Sequence, residues 1–245
     1  MLPNVMNLEL DITYSCPVRC PNCNRLCNVR PGQPDQNITP TQIQTLIEES
    51  LACHYPWQQW WLLGGEPTTH PQLWEILQLV DNYRQKRGDE TFQVGIVSNG
   101  WGKRTQEILG QIYLRYPWIQ IRIDAKQPGQ NPHFVPVLLA PIDHRQDIDW
   151  STHQCIGCPV AWQCGLGMNY AGFFPCCVAG AFYRVAGIGK PWKTLADITK
   201  QAILDAYQCF CRLCGFYTGN PACPPPRTPE SIISPTWQQL LQRSV

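Results

Sequence analysis

Cys16, Cys20 and Cys23 stand in the run Cys16-Pro-Val-Arg-Cys20-Pro-Asn-Cys23. Thiolates are the protein ligands of iron–sulfur clusters. Three of them close together can hold three irons of a cubane and leave the fourth without a protein ligand. An open coordination position lets a metal centre do chemistry rather than act as scaffolding. Cys27 follows closely and could supply a fourth thiolate, which would suit a closed zinc site instead. A second candidate is Gly64-Gly65-Glu66-Pro67. Its glycines permit close backbone approach, and its carboxylate can accept from an ammonium group. Alone, the tetrapeptide is also ordinary turn chemistry.

The chain carries fourteen cysteines, far more than packing requires. Disulfides would imply secretion, yet the start lacks a basic region followed by an apolar run. Metal is the remaining expectation. The cysteines fall into two groups, with Cys53 alone between them. The second group runs from Cys155 and Cys158 through Cys164, Cys176, Cys177, Cys209, Cys211 and Cys214 to Cys223.

The elements that must position these residues follow from periodicity. Residues 7–13 alternate, with Leu8, Leu10 and Ile12 on one face and Glu9, Asp11 and Thr13 on the other. That predicts a strand with a polar face, directly before the cysteine loop. Thr39, Pro40 and Gln42 predict a capped helix start, with the helix running to about 53. Further strands are expected at 58–63, 92–98 and 119–124, and a weaker one at 134–139, where Pro136 removes a ladder donor. Helices are expected after His70-Pro71 and over about 103–115. Repeated strand–helix units imply a parallel sheet, open or curled into a partial barrel. Beyond about 148 cysteine, glycine and aromatics dominate. There 166–178 predicts a hairpin turning near Ala171-Gly172, Thr194 a helix to about 208, and the end a short helix from about 230. Pro224-Pro225-Pro226 reads as a stiff connector, and the tryptophans Trp57, Trp60 and Trp61 as sheet packing.

The cysteine spacing on the loop after the first strand, followed one strand–helix unit later by Gly-Gly-Glu-Pro, resembles the radical S-adenosylmethionine (SAM) enzymes over residues 7–140. The resemblance implies a partial (β/α) barrel at 1–148 that holds a [4Fe–4S] cluster on Cys16, Cys20 and Cys23. It implies SAM bound at the open iron, with Gly64, Gly65, Glu66 and Pro67 at its amino group. Ser98, at the end of the third strand, and Asp124, at the end of the fourth, are further expected contacts. The family's chemistry is reductive cleavage of SAM to a 5′-deoxyadenosyl radical that abstracts a hydrogen atom. Two departures stand out. Asn22 occupies the place of the family's aromatic before the third cysteine, leaving adenine to the backbone or Tyr14, and Arg122 replaces a serine.

Residues 149–245 resemble the twitch domain, a shortened SPASM domain, as a small cysteine-rich α+β unit. Cys158, Gly172-x4-Cys177 and Cys211-x2-Cys214 imply one auxiliary [4Fe–4S] cluster on Cys158, Cys177, Cys211 and Cys214. Cys164, Cys176, Cys209 and Cys223 are substitutes, and a structural zinc site is the alternative.

The function expected from the resemblance is oxidation or rearrangement of a small polar substrate, with electrons from a donor such as flavodoxin or ferredoxin. Peptide maturation is the second reading. A non-catalytic zinc or iron–sulfur module is the third, and it leaves Gly-Gly-Glu-Pro unexplained. No catalytic acid or base is assigned. Glu9, Asp11 and Arg122 fit a salt-bridged interior better than a substrate base. His54, His133, His144 and His153 read as surface or core residues, and His70 as helix-start chemistry. A net charge of +1 without a basic run gives no sign of a nucleic-acid or anionic-membrane surface, and no apolar run is long enough to span a bilayer. A cytoplasmic location is the corresponding expectation.

Overall fold

The computed structural model describes residues 2–126, 134–219, 227–228 and 230–243. Its centre is a six-stranded, mostly parallel sheet in an α/β arrangement. In chain order the elements are β1 (Asn7–Thr13), α1 (Pro40–Ala52), β2 (Gln59–Gly64), α2 (Leu73–Arg87), β3 (Gln93–Ser98), α3 (Lys103–Arg115) and β4 (Gln120–Ile123). There follow α4 (Pro159–Cys164), β5 (Leu166–Asn169), β6 (Gly172–Phe174), α5 (Cys177–Ala186), α6 (Lys200–Phe210) and α7 (Pro235–Arg243). The strand order is β4-β3-β2-β1-β5-β6, and only the β5–β6 pair is antiparallel.

The alternation in β1 sets the two faces. Leu8, Leu10 and Ile12 join Trp60, Leu62, Ile96 and the inner faces of α1 and α2 in one buried core. Thr39 starts α1 as expected: its Oγ1 accepts from Gln42 N at 3.2 Å, and Gln42 Oε1 accepts from Thr39 N at 3.0 Å. Trp57 and Trp60 are buried, with Trp60 stacked on Tyr83 at 4.9 Å, while Trp61 lies over Gly95 on the opposite face. On that opposite face the register aligns Glu9 with Trp61 and Gly95, and Asp11 with Leu63.

The segment 134–139 is not a strand. Phe134 makes one bridge, to Thr228, and Leu139 N turns back to Pro136 O at 2.9 Å. The missing N–H of Pro136 interrupts any ladder. The apolar Val137 and Leu138 that suggested a strand serve a second core instead, with Phe182, Phe210 and Trp237. The hairpin is present, with Asn169 paired to Gly172 and Asn169 Oδ1 accepting from Ala171 N at 2.8 Å. Gly172 has φ 133°, and a Cβ there would come 2.3 Å from Trp192 O. Cys177 does not end the hairpin; it begins α5. Thr194 caps only a single turn at Leu195–Asp197, and Thr199 caps α6 by accepting from Ala202 N at 3.1 Å. The final helix starts at Pro235 rather than near 230.

β5 pairs with β1, so the hairpin of the cysteine-rich region extends the N-terminal sheet. Among the described residues no helix is long and apolar enough to cross a membrane.

Candidate active site

At the C-terminal ends of β1, β2, β3 and β4 lies a cavity of about 410 Å³. Cys16, Cys20, Cys23 and Cys27 line it, with Gly64, Gly65, Ser98, Asn99, Arg122 and Asp124 among the other residues. The cysteine loop reaches this position through two left-handed residues, Asn22 at φ 54° and Leu26 at φ 55°. Asparagine tolerates that region; a leucine there is strained and must be held by its surroundings. Helix α5 does the holding. Arg184 donates to the carbonyls of Arg25, Leu26 and Arg30 at 2.9, 3.1 and 2.9 Å.

The thiols differ in their electrostatics. Burial pushes Cys16 up to about 11 and raises Cys20. Cys23 is drawn down to about 6, first by a hydrogen bond from the Cys27 thiol and then by the backbone N–H groups of Cys27 and Arg25. The shared bond raises Cys27 well above its ordinary value. The pair thus favours the proton on Cys27 over Cys23. Asn99 Nδ2 lies 3.7 Å from Cys16 Sγ as a further donor.

Gly64 and Gly65 are required by the chain itself. Gly65 N donates to Thr13 O at 2.7 Å and Glu66 N to Ser15 O at 2.8 Å, which pins β2's end beneath the cysteine loop. A Cβ would stand 2.1 Å from Thr13 O at Gly64 and 2.3 Å from Ser15 O at Gly65. Glu66 is fully buried and is not on the cavity wall. Its Oε1 accepts from Thr68 N, Thr68 Oγ1 and Ser98 Oγ at 3.2, 2.8 and 2.9 Å, and its Oε2 from Asn99 N at 2.8 Å. Pro67 is buried in the following turn. Ser98 lines the cavity while donating to Glu66. Asp124 is exposed on the wall and pairs with Lys126 at 2.6 Å.

Beneath the loop, Arg25 Nη2 meets Glu9 Oε2 at 2.6 Å and its Nε meets Asp11 Oδ1 at 3.0 Å, all three being buried. Such a triad leaves an uncompensated buried charge if one member is lost. Burial raises Asp11 to about 6, with Arg25 pulling the other way. Tyr14 is not available to a ligand. It is fully buried, bonded to Asp11 Oδ2 at 3.1 Å and Asn169 Nδ2 at 3.0 Å, and covered by Arg184 at 4.3 Å.

In the C-terminal region Cys158, Cys176, Cys211 and Cys214 form a mutually interacting group. Burial raises each, and three are raised further by neighbouring thiols: Cys176 by Cys158, Cys211 by Cys158, Cys214, Cys176 and also Cys155, and Cys214 by Cys158 and Cys176. Cys177 points away. After burial, the groups acting on it are Arg25, Glu9, Cys176 and Asp11. Cys177 is buried in the core with Leu26 and Phe182, whereas the N-cap residue Cys176 packs, with Cys158, against the hydrophobic cluster that holds Cys155 and Cys211. Cys164 faces Glu9, and Cys223, His133 and the triple proline lie outside the described residues. His70 is buried at a helix start, with Nε2 2.9 Å from Ile38 O and Nδ1 accepting from Gln72 N. Among the described residues no three His, Cys, Asp or Glu side chains converge on a single-ion site. A cubane spreads its thiolates over separate irons, and the two groups of cysteines fit that kind of group.

Arg25, Asn99 and Asn22 are the site residues that spacing did not single out for a role. Their partners come from β1, the turn after β2, Cys16 and the C-terminal segment, and no local pattern announces such contacts.

No protein-family model matches the sequence, and no curated protein is significantly similar to it. Two solved structures resemble the fold distantly. BtrN in complex with AdoMet and 2-DOIA overlaps with a TM-score of 0.49 at 13% identity, over 87% of this chain and 93% of that one. Streptococcus suis SuiB bound to S-adenosylmethionine overlaps with a TM-score of 0.36 at 17% identity, over 58% of this chain and 27% of that one. Neither overlap is close enough to assign a family.

Proposed function

We propose that this chain is a radical SAM enzyme. Cys16, Cys20 and Cys23 would hold a [4Fe–4S] cluster with one iron open to SAM. When bound, the cluster and SAM supply reductive cleavage of SAM and abstraction of a hydrogen atom from substrate. The observation that carries the reading is the opening of those three cysteines, Gly64, Gly65, Ser98 and Asp124 onto one cavity at the strand ends. The chain's own part is positional. Glu66 ties the ends of β2 and β3, Arg25 and Arg184 fix the cysteine loop, and the backbone around Cys23 favours its thiolate. Cys158, Cys176, Cys211 and Cys214 would hold an auxiliary [4Fe–4S] cluster in a twitch-like unit. Four protein ligands would leave it no site for substrate, so it would accept an electron and make the net reaction an oxidation of a small polar molecule. A flavodoxin- or ferredoxin-type donor would reduce the first cluster.

The test is anaerobic incubation of reconstituted protein with SAM and dithionite. Release of 5′-deoxyadenosine and methionine, abolished by Cys23→Ser, is expected. A colourless protein carrying stoichiometric zinc and releasing neither product would refute the reading.

A further inference from the structure

The cavity wall is not made by the strands and cysteine loop alone. Phe134, Phe216 and Arg227 also line it, and Arg227 is the one charged group among these three. Arg227 is set in place by its neighbour. Thr228 pairs with Phe134 through Phe134 N to Thr228 O at 3.3 Å and Thr228 N to Phe134 O at 3.0 Å. On the other side Asn22, buried in the cysteine loop, holds the same segment. Its Nδ2 donates to Thr228 O at 3.4 Å and Glu230 O at 2.5 Å, and its Oδ1 accepts from Ile232 N at 3.3 Å. The side chain before the third cysteine is thus a clamp on a strap that brings a guanidinium to the cavity.

The charges there do not balance. Asp124 is the one carboxylate on the described wall, and it is paired with Lys126. Arg25 is spent on Glu9 and Asp11. Arg122 and Arg227 also line the cavity and have no carboxylate partner among the described residues. SAM brings one carboxylate of its own, which can satisfy one of the two. We propose that Arg227 recognises an anionic oxygen group, carboxylate or phosphate, on the substrate, with Phe134 and Phe216 against the apolar or aromatic body that carries it. Guanidinium matches both anions in a planar, two-pronged geometry, and aromatic walls suit the adjoining apolar part. This rests on the radical SAM reading for the identity of the bound molecule as the one oxidised.

The experiment uses reconstituted protein with SAM and reads binding of four probes by ligand-observed NMR: benzoate, phenyl phosphate, benzyl alcohol and benzylammonium. The wild-type protein is expected to bind one of the anions about tenfold more tightly than benzyl alcohol, with benzylammonium weakest. The tighter anion identifies the group. Arg227→Gln should erase the preference while leaving benzyl alcohol and SAM binding unchanged, and Arg227→Lys should retain part of it. A preference that survives Arg227→Gln, or equal binding of all four probes by the wild type, overturns the proposal. An Arg227→Gln protein with shifted cluster potential but intact selectivity overturns it too, since the charge would then serve the metal centre. Wild-type protein that shows the anion preference but fails to bind SAM would refute the radical SAM reading alone.

Discussion

Glu66 gathers four donors on one buried carboxylate, two of them from the end of β3. The tetrapeptide that contains it was legible in the sequence. Its carboxylate was expected to meet an ammonium, whereas its partners here are Thr68, Ser98 and Asn99. Glu66→Gln keeps the shape but replaces one accepting oxygen with an amide NH2 that donates toward a backbone donor, leaving that N–H unsatisfied. A loss of about 1–3 kcal/mol in urea-unfolding stability is expected. Asp11 makes a second residue-scale test. Its folded pKa stands raised to about 6, above the 3.8 of the free side chain. That contribution to stability is fully present below about 3.8 and is lost as pH rises through about 6. Asp11→Asn does not titrate, so the wild type should lose stability relative to this variant between pH 4 and 7. Urea unfolding of both across that range is the measurement, and parallel curves would contradict the assignment. The Arg25 contacts that oppose the shift could not be read from sequence, since nothing local ties that arginine to Glu9 and Asp11.

The start of α5 separates two adjacent cysteines. The sequence showed a hairpin and two adjacent cysteines, and the Gly172 spacing favoured Cys177. The helix begins at that residue, with Cys176 as its cap, so adjacent side chains diverge. A start at this point carries no capping residue of the usual type, which left the helix unmarked. Cys176→Ser is expected to lose about four of the iron atoms bound after reconstitution, and Cys177→Ser to keep them. Iron and sulfide analysis reads this directly. At the other end of the scale of legibility, α1 announced itself through Thr39, Pro40 and Gln42. The strand expected at 134–139 failed because its apolar residues answer to a core built with α5, α6 and α7, and burial there does not require a ladder.

For the molecule as a whole, the strand–helix alternation made the parallel part of the sheet readable. The partner of β1 on its second side was not readable, because β5 comes from the cysteine-rich region far along the chain. This pairing brings β5, which follows Cys158 and Cys164 in the chain, beside the strand that leads into the first cysteine loop. The Glu9–Arg25–Asp11 triad lies between the first loop and Cys177. Reconstituted protein should therefore carry about eight iron atoms per chain as two cubanes. The cysteine loop depends on α5 through Arg184, so a chain cut before Cys155 is expected to lose the first cluster as well. Iron retention by such a fragment, compared with the full chain, checks this.

Cys27 bears on the central claim most directly, since it lines the cavity and bonds to Cys23. The decisive measurement is the electron paramagnetic resonance spectrum of dithionite-reduced Cys27→Ser protein with and without SAM. A cluster signal that persists in this variant and changes on adding SAM is expected, because three thiolates suffice and one iron is open. A signal lost with Cys27, or one that SAM leaves unchanged in both this variant and the wild type, would contradict it.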